Sequence, residues 1–290
     1  VRGIPHLKHF ADPQPVPRFS GGKMWFWQRN VATAGPNLAA YDRDGRLILE
    51  RSILVPGASQ TKIIDVAADS SGGTAIIGLA LSAAGRYAGY LALLAPSGDE
   101  VRFIALARFS PESVTYASDG SIWIVGAESG SGGRLLAAPP HAVLRRYSRD
   151  GVAQGEFLQW PQFACGKHPI LPHSPVLAAA TGRVGVLFPT CNRVVELDLS
   201  GAVLWDSPVT PPDTKTRPVR LGYVSGQLAL SYDRSLYLLD RTAAQWRAVD
   251  GAKLGAWNLV DLMGVDTDGT PVLWTFNGSA ARFVWSPLQP

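Results

Sequence analysis

Only two cysteines, no run of five basic residues and no apolar run near the roughly 20 residues that span a bilayer mark this 290-residue chain. Each lack excludes something. Without a dense basic stripe to displace phosphate counterions, nucleic-acid binding is not expected, and the net charge of +4 is spread thinly. Without a long apolar run, no transmembrane segment is expected. No window keeps apolar residues at spacings of three and four over several turns, so long helices are excluded as well. The chain also lacks a Gly-x-Ser-x-Gly elbow, a His-Glu-x-x-His pair and a phosphate-cradling loop. The Gly-rich piece 129–133 (SGSGG) lacks the strand-to-helix setting of such a loop and reads as a loop tip.

What is present is a repeat. Hydrophobic residues make up 46% of the chain and charged residues only 17%, which is core-forming rather than disordered. With 30 Gly and 22 Pro, turns are frequent, and the class read from this is all-β. Residues 113–158 form one complete unit of four strands, with turns at Ser118-Asp119-Gly120-Ser121 and Ser148-Arg149-Asp150-Gly151. The first-hairpin glycines of successive units are Gly21, Gly72, Gly120, Gly182, Gly226 and Gly269, spaced by 51, 48, 62, 44 and 43 residues. Repeats of about 40–50 residues with four strands each signify a β-propeller.

The expected fold is therefore a single domain, a six-bladed β-propeller of four-stranded antiparallel blades near 16–54, 63–106, 113–158, 175–209, 218–249 and 258–287. First strands carry small residues (Ala67, Ala68, Ala117, Ala178–Ala180, Gly222, Gly264), as crowding at a central axis demands. The sixth unit lacks a fourth strand, and an open ring would leave an unpaired edge. The strand-like piece near 4–10 is expected to close it. The Asp-Gly turn followed by an aromatic-rich strand (Asp119-Gly120-Ser121-Ile122-Trp123; Asp268-Gly269-Thr270 with Trp274) resembles six-bladed propellers of the NHL and gluconolactonase-like superfamily. That resemblance implies a fold and carries no activity by itself.

Loop lengths divide the two faces. Turns joining first to second and third to fourth strands are tight, leaving no room for a site. Second-to-third connections are long at 29–36, 82–89 and 128–141, and blade-to-blade connections at 159–175, 210–217 and 250–257. Binding groups favour elaborated loops on a rigid scaffold, so the long-loop face and channel mouth are the expected site, with His141, Trp160, His168, His173, Arg217, Trp257 and Asn258 as candidates. Loop histidines are also commonly just hydrogen-bonded, and the tryptophans are also suited to wedging between blades. Cys165 and Cys191 fall at one end of blade four, so a disulfide is feasible. The row Cys165, His168, His173, Cys191 is also a candidate zinc set, although its spacing matches no standard pattern. Asp65, Thr115, Arg220 and Asp261 lie within innermost strands and should face the central channel, either solvated or as functional charges.

The expected function is an exported, monomeric binding module for a small molecule, glycan or protein on the long-loop face, with no cofactor. Nine Trp, two Cys and a start at Val1 suggest a secreted or periplasmic chain whose signal peptide has been removed. The resemblance implies an alternative: a metal-dependent lactonase or other hydrolase with calcium or another divalent cation at the channel mouth, held by Glu112, Asn258 and Asp261. Pro175 and Pro218 stand near the other expected ligand positions and depart from that pattern.

Overall fold

The computed structural model describes residues 16–28, 35–128, 141–160, 174–212, 220–232, 235–249, 258–266, 268–276 and 281–285. Blade 1 consists of β1 (Val16–Ser20), β2 (Lys23–Trp27), β3 (Leu38–Tyr41) and β4 (Leu47–Arg51). Blade 2 is β5 (Ala58–Ala68), β6 (Thr74–Ser82), β7 (Tyr87–Leu94) and β8 (Val101–Ala105). Blade 3 is β9 (Phe109–Tyr116), β10 (Ile122–Glu128), β11 (Ala142–Tyr147) and β12 (Ala153–Gln159). Blade 4 is β13 (Val176–Ala180), β14 (Arg183–Phe188), β15 (Arg193–Asp198) and β16 (Val203–Pro208), with a short 3-10 turn at Pro189–Cys191. Blade 5 is β17 (Arg220–Val224), β18 (Gln227–Tyr232), β19 (Ser235–Asp240) and β20 (Gln245–Ala248). Blade 6 is β21 (Asn258–Val265), β22 (Pro271–Phe276) and β23 (Ala281–Trp285).

Every sheet is an antiparallel meander in chain order, four-stranded in blades 1 to 5 and three-stranded in blade 6 among the described residues. The piece near 4–10, expected to complete blade 6, lies outside them. All six repeat-marking glycines have positive φ, from 59° at Gly21 to 93° at Gly72. That is the left-handed backbone a tight hairpin needs and glycine adopts without a Cβ clash.

The core follows from both faces of each sheet being covered. Among the described residues, buried apolar side chains form six clusters, each spanning two neighbouring blades. Blades 1 and 2 share Trp25, Trp27, Ile63 and Ile76; blades 2 and 3 share Ile77, Leu91, Phe109 and Ile124. Blades 3 and 4 meet through Trp123, Val125, Val184 and Val195, and blades 4 and 5 through Leu187, Val194, Leu228 and Trp246. Val224 and Leu236 pack on Leu262 and Leu273 between blades 5 and 6, and Phe19 and Phe26 on Met263 and Phe283 between blades 6 and 1. The last cluster closes the ring. Each fully buried large side chain stabilises the fold by about 1.5–3 kcal/mol. One expected long loop is absent: β6 and β7 pair as far as Leu81↔Tyr87, so 82–89 holds only a tight turn, closed by Ser82 and Arg86. Its small and polar composition (SAAGRYAG) disguised four residues of strand.

Candidate functional site

The innermost strands β1, β5, β9, β13, β17 and β21 surround the axis, and between them lies a cavity of about 710 Å³. Its lining runs from Asp65, Ser113, Val176 and Arg220 up to the first-hairpin turns at Gly21–Gly22, Asp69–Ser71, Ser118–Gly120 and Thr181. The tight turns thus border an axial space. They leave no room among themselves, but they leave the axis open. Three expected channel residues, Asp65, Thr115 and Arg220, line this cavity, and Asp261 stands behind Arg220. Arg18, Tyr116 and Arg149 also line it and were not expected. For Arg18 a signal existed: Val-Pro-Arg in β1 parallels the Pro-Val-Arg that leads into β17.

Asp65 is the best-satisfied charge at the axis. Its Oδ2 accepts from Arg18 Nη1 at 2.6 Å, Ser113 Oγ at 3.0 Å and the Val114 amide at 3.0 Å, while Oδ1 accepts from the Val66 amide at 2.9 Å. A bulge in β5 at Ile63/Asp65 turns the carboxylate inward, and the carboxylate joins blades 1, 2 and 3. Asp261 sits at a comparable bulge in β21, accepting from the Ser231 hydroxyl and from the Leu262 amide at 2.9 Å. Its counter-charge is more distant, with Arg220 Nε 3.7 Å from Oδ2. Burial therefore dominates and pushes the Asp261 carboxyl up to about 6, against the pull of Arg220 and the Ser231 hydroxyl.

At the rim, Asp69 accepts from the amides of Ser71 and Gly73, both at 2.9 Å, and from Arg149, which crosses from blade 3. Burial alone would raise its carboxyl, but the Ser71 and Arg149 hydrogen bonds and the arginine charge outweigh it and hold it low. Burial raises the Tyr116 hydroxyl, with help from the Asp69 charge. One wall is apolar, formed by β13 of blade 4.

The other expected residues lie elsewhere. His141 and Trp160 are buried against each other, rings stacked at 5.8 Å and 15°, with the Trp160 amide donating to the His141 carbonyl at 2.7 Å. His168, His173, Arg217, Trp257 and Cys165 lie outside the described residues. Cys191 ends the 3-10 turn of blade 4. Of the residues expected to hold a cation, Glu112 accepts from Ser174 Oγ at 2.8 Å, and burial raises its carboxyl against the Ser174 bond and the Lys62 charge. Asp261 is engaged as described, and the Asn258 side chain lies outside the described residues. Among the described residues no three His, Cys, Asp or Glu side chains stand close enough to hold a metal ion together.

No protein-family model matches the chain, and no curated protein is detectably similar to it in sequence. Its fold is similar to a protein of unknown function from Bacteroides caccae, with TM-score 0.54 and 13% identity over 89% of both chains. It is likewise similar to a Thermus thermophilus protein assigned as an oxidoreductase (glucose dehydrogenase), with TM-score 0.50 and 14% identity over 95% of this chain and 98% of that one. Likeness at these identities speaks for architecture alone, and the architecture is an all-β, six-bladed propeller.

Proposed function

We propose that this chain is a binding module that takes a small molecule in its axial cavity, at the face of the tight turns. One observation supports this reading above the rest: a cavity of about 710 Å³ bordered by polar groups from separate blades. That size falls in the range of about 300–1,000 Å³ usual for small-molecule sites, and its lining sets one apolar wall against charged and hydroxyl groups from the other blades. The burial of His141 and Trp160 against each other is a further reason to prefer the axis, since neither offers an open ring for stacking. We also propose that the chain is exported and bridged through Cys165 and Cys191; no described cysteine is free. Thiol titration of the unfolded chain, before and after reduction, tests the bridge.

A fragment library screened by ligand-observed NMR tests the cavity. Thr181 is exposed at its mouth, so Thr181→Trp adds bulk there without disturbing a core cluster. Fragments that bind the native chain should lose binding in this variant while the thermal midpoint stays unchanged. Fragments binding both proteins equally would place the site off the axis, and a library without hits would remove the reading.

A further inference from the structure

Two arginines reach the axis from the blades flanking blade 6, and the fold uses them differently. Arg18 on β1 is committed. Its Nη1 donates to Asp65 at 2.6 Å and to the Val114 carbonyl at 2.9 Å, and Asp65 has further donors of its own. Arg220 on β17 repeats the arrangement one pair of blades away, standing beside Asp261 of the next blade as Arg18 stands beside Asp65. Here the pairing is unfinished. Arg220 Nε is buried without a hydrogen-bond partner. Its 3.7 Å separation from Asp261 Oδ2 is an ion-pair distance, beyond hydrogen-bonding reach. The side chain is 22% exposed and lines the cavity.

A guanidinium carries only donors, so whatever completes Arg220 must be an acceptor. A carboxylate presents two oxygens at the spacing of two guanidinium N–H groups, and such fork-to-fork pairing gains strength where water is thin. We infer that the axial cavity selects small organic carboxylates, with the Arg220 guanidinium holding the carboxylate. This inference rests on the axial-site reading above. Phosphate fits less well: Asp65, Asp69 and Asp119 border the same space, and among the described lining residues Arg18 and Arg149 are already hydrogen-bonded to Asp65 and Asp69, which leaves a dianion only Arg220, itself 3.7 Å from Asp261, to offset its charge.

The rest of the lining describes the rest of the ligand. Beside blade 5, β13 offers Val176, Leu177 and Ala178, an apolar stretch with no side-chain donor. Beyond it blade 3 brings the hydroxyls of Thr115 and Tyr116. Thr115 Oγ1 makes only a long 3.4 Å contact to the Tyr116 carbonyl and is left with capacity for a second partner. The matching molecule has a carboxylate, a short apolar spacer and a hydroxyl or second acceptor at the far end.

Calorimetric titration of the full chain with 4-hydroxybenzoate, 5-hydroxyvalerate and glutarate, each against its amide twin, and with inorganic phosphate, tests this. At least one carboxylate should bind about tenfold or more tighter than its amide, since the charge-assisted pair is lost in the amide. Arg220→Met should abolish that preference, and Arg220→Lys should keep part of it. Should Arg220→Met fail to fold, the carboxylate–amide comparison on the native chain and Arg220→Lys still decide. Equal binding of acid and amide, a preference untouched in Arg220→Met, no binding by any of the three acids, or phosphate binding in their place overturns the inference. The axial-site reading survives all four as long as library fragments still bind and Thr181→Trp removes them, so the two failures are separable.

Discussion

At the scale of single residues, the two inward aspartates show how surroundings decide what a carboxylate does. Asp65 is 4% exposed and accepts four hydrogen bonds, one of them from a guanidinium. Asp65→Ala would strand Arg18 and two backbone amides in a buried setting. Removing one partner of such a pair destabilises by about 3–5 kcal/mol, whereas Asp65→Asn, which keeps an acceptor in place, should cost clearly less. Urea unfolding with an unchanged denaturant slope is the measurement; an Asp65→Ala loss no larger than that of Asp65→Asn would mean the pair contributes little. Asp65, Asp261 and Arg220 were legible in the sequence because each is a charge inside a strand of small and apolar residues. Arg18 was legible only through its parallel with Arg220, since its own strand, VPRFS, is short and Pro-interrupted and offers too little apolar background for the charge to stand out. The unequal pairing of the two arginines was not legible at all, because it depends on distances of 2.6 and 3.7 Å that no spacing in the chain encodes.

At the scale of elements, the turn glycines carried most of what the sequence disclosed about the fold, and they are not alike. In the first hairpins, Gly120, Gly182 and Gly226 have nothing within 4 Å of where a Cβ would stand, so glycine is needed there for positive φ alone. In the third-to-fourth turns the backbone lies against the outer strand of the preceding blade: a Cβ on Gly98 would overlap Leu49, on Gly151 Ile104 and on Gly201 Phe157. Blade 5 has no glycine at this place and docks instead through Arg241, whose Nε and Nη2 donate to the buried Glu196 of blade 4 at 2.5 and 2.6 Å. Gly182→Ala should therefore cost roughly 1–2 kcal/mol from left-handed backbone strain. Gly201→Ala, at φ 93° and against Phe157, should cost about 1–3 kcal/mol more from overpacking. Equal losses in thermal unfolding would show that the blades part easily there. The period was legible because both glycine roles repeat with it. The turn at 82–89 was misread because polar, small residues look alike whether they pair or loop.

At the scale of the whole molecule, two opposed sets of carboxylates shape the response to pH. The Ser200 hydroxyl and backbone amides at Asp198, backbone amides and Arg247 at Asp240, and the Thr270 amide and hydroxyl at Asp268 hold these turn aspartates below the ordinary carboxylate range, and at Asp69 and Asp119 hydroxyl, backbone and arginine partners outweigh burial to the same effect. Their folded state favours the charged form, so the stability they contribute is present above the unfolded value near 3.9 and is lost as pH falls through the lowered values. Asp261 works the other way. Its carboxyl is pushed up to about 6, mainly by burial, and the groups facing it are Arg220 from β17 and the Ser231 hydroxyl from β18. Between about pH 6 and 4 the folded chain holds this proton more tightly than the unfolded one, so stability rises as pH falls across that window. Glu112, raised by burial, adds in the same direction. The thermal midpoint should accordingly be higher near pH 5 than near pH 7.5 and should collapse below about pH 4, where the turn carboxylates discharge. Asp261→Asn carries no titratable proton and still offers an oxygen to Ser231 and the Leu262 amide, so it should flatten the upper limb and leave the acid limb in place. A midpoint that climbs steadily from pH 5 to 7.5 in the native chain would mean that Asp261 is charged at the axis throughout.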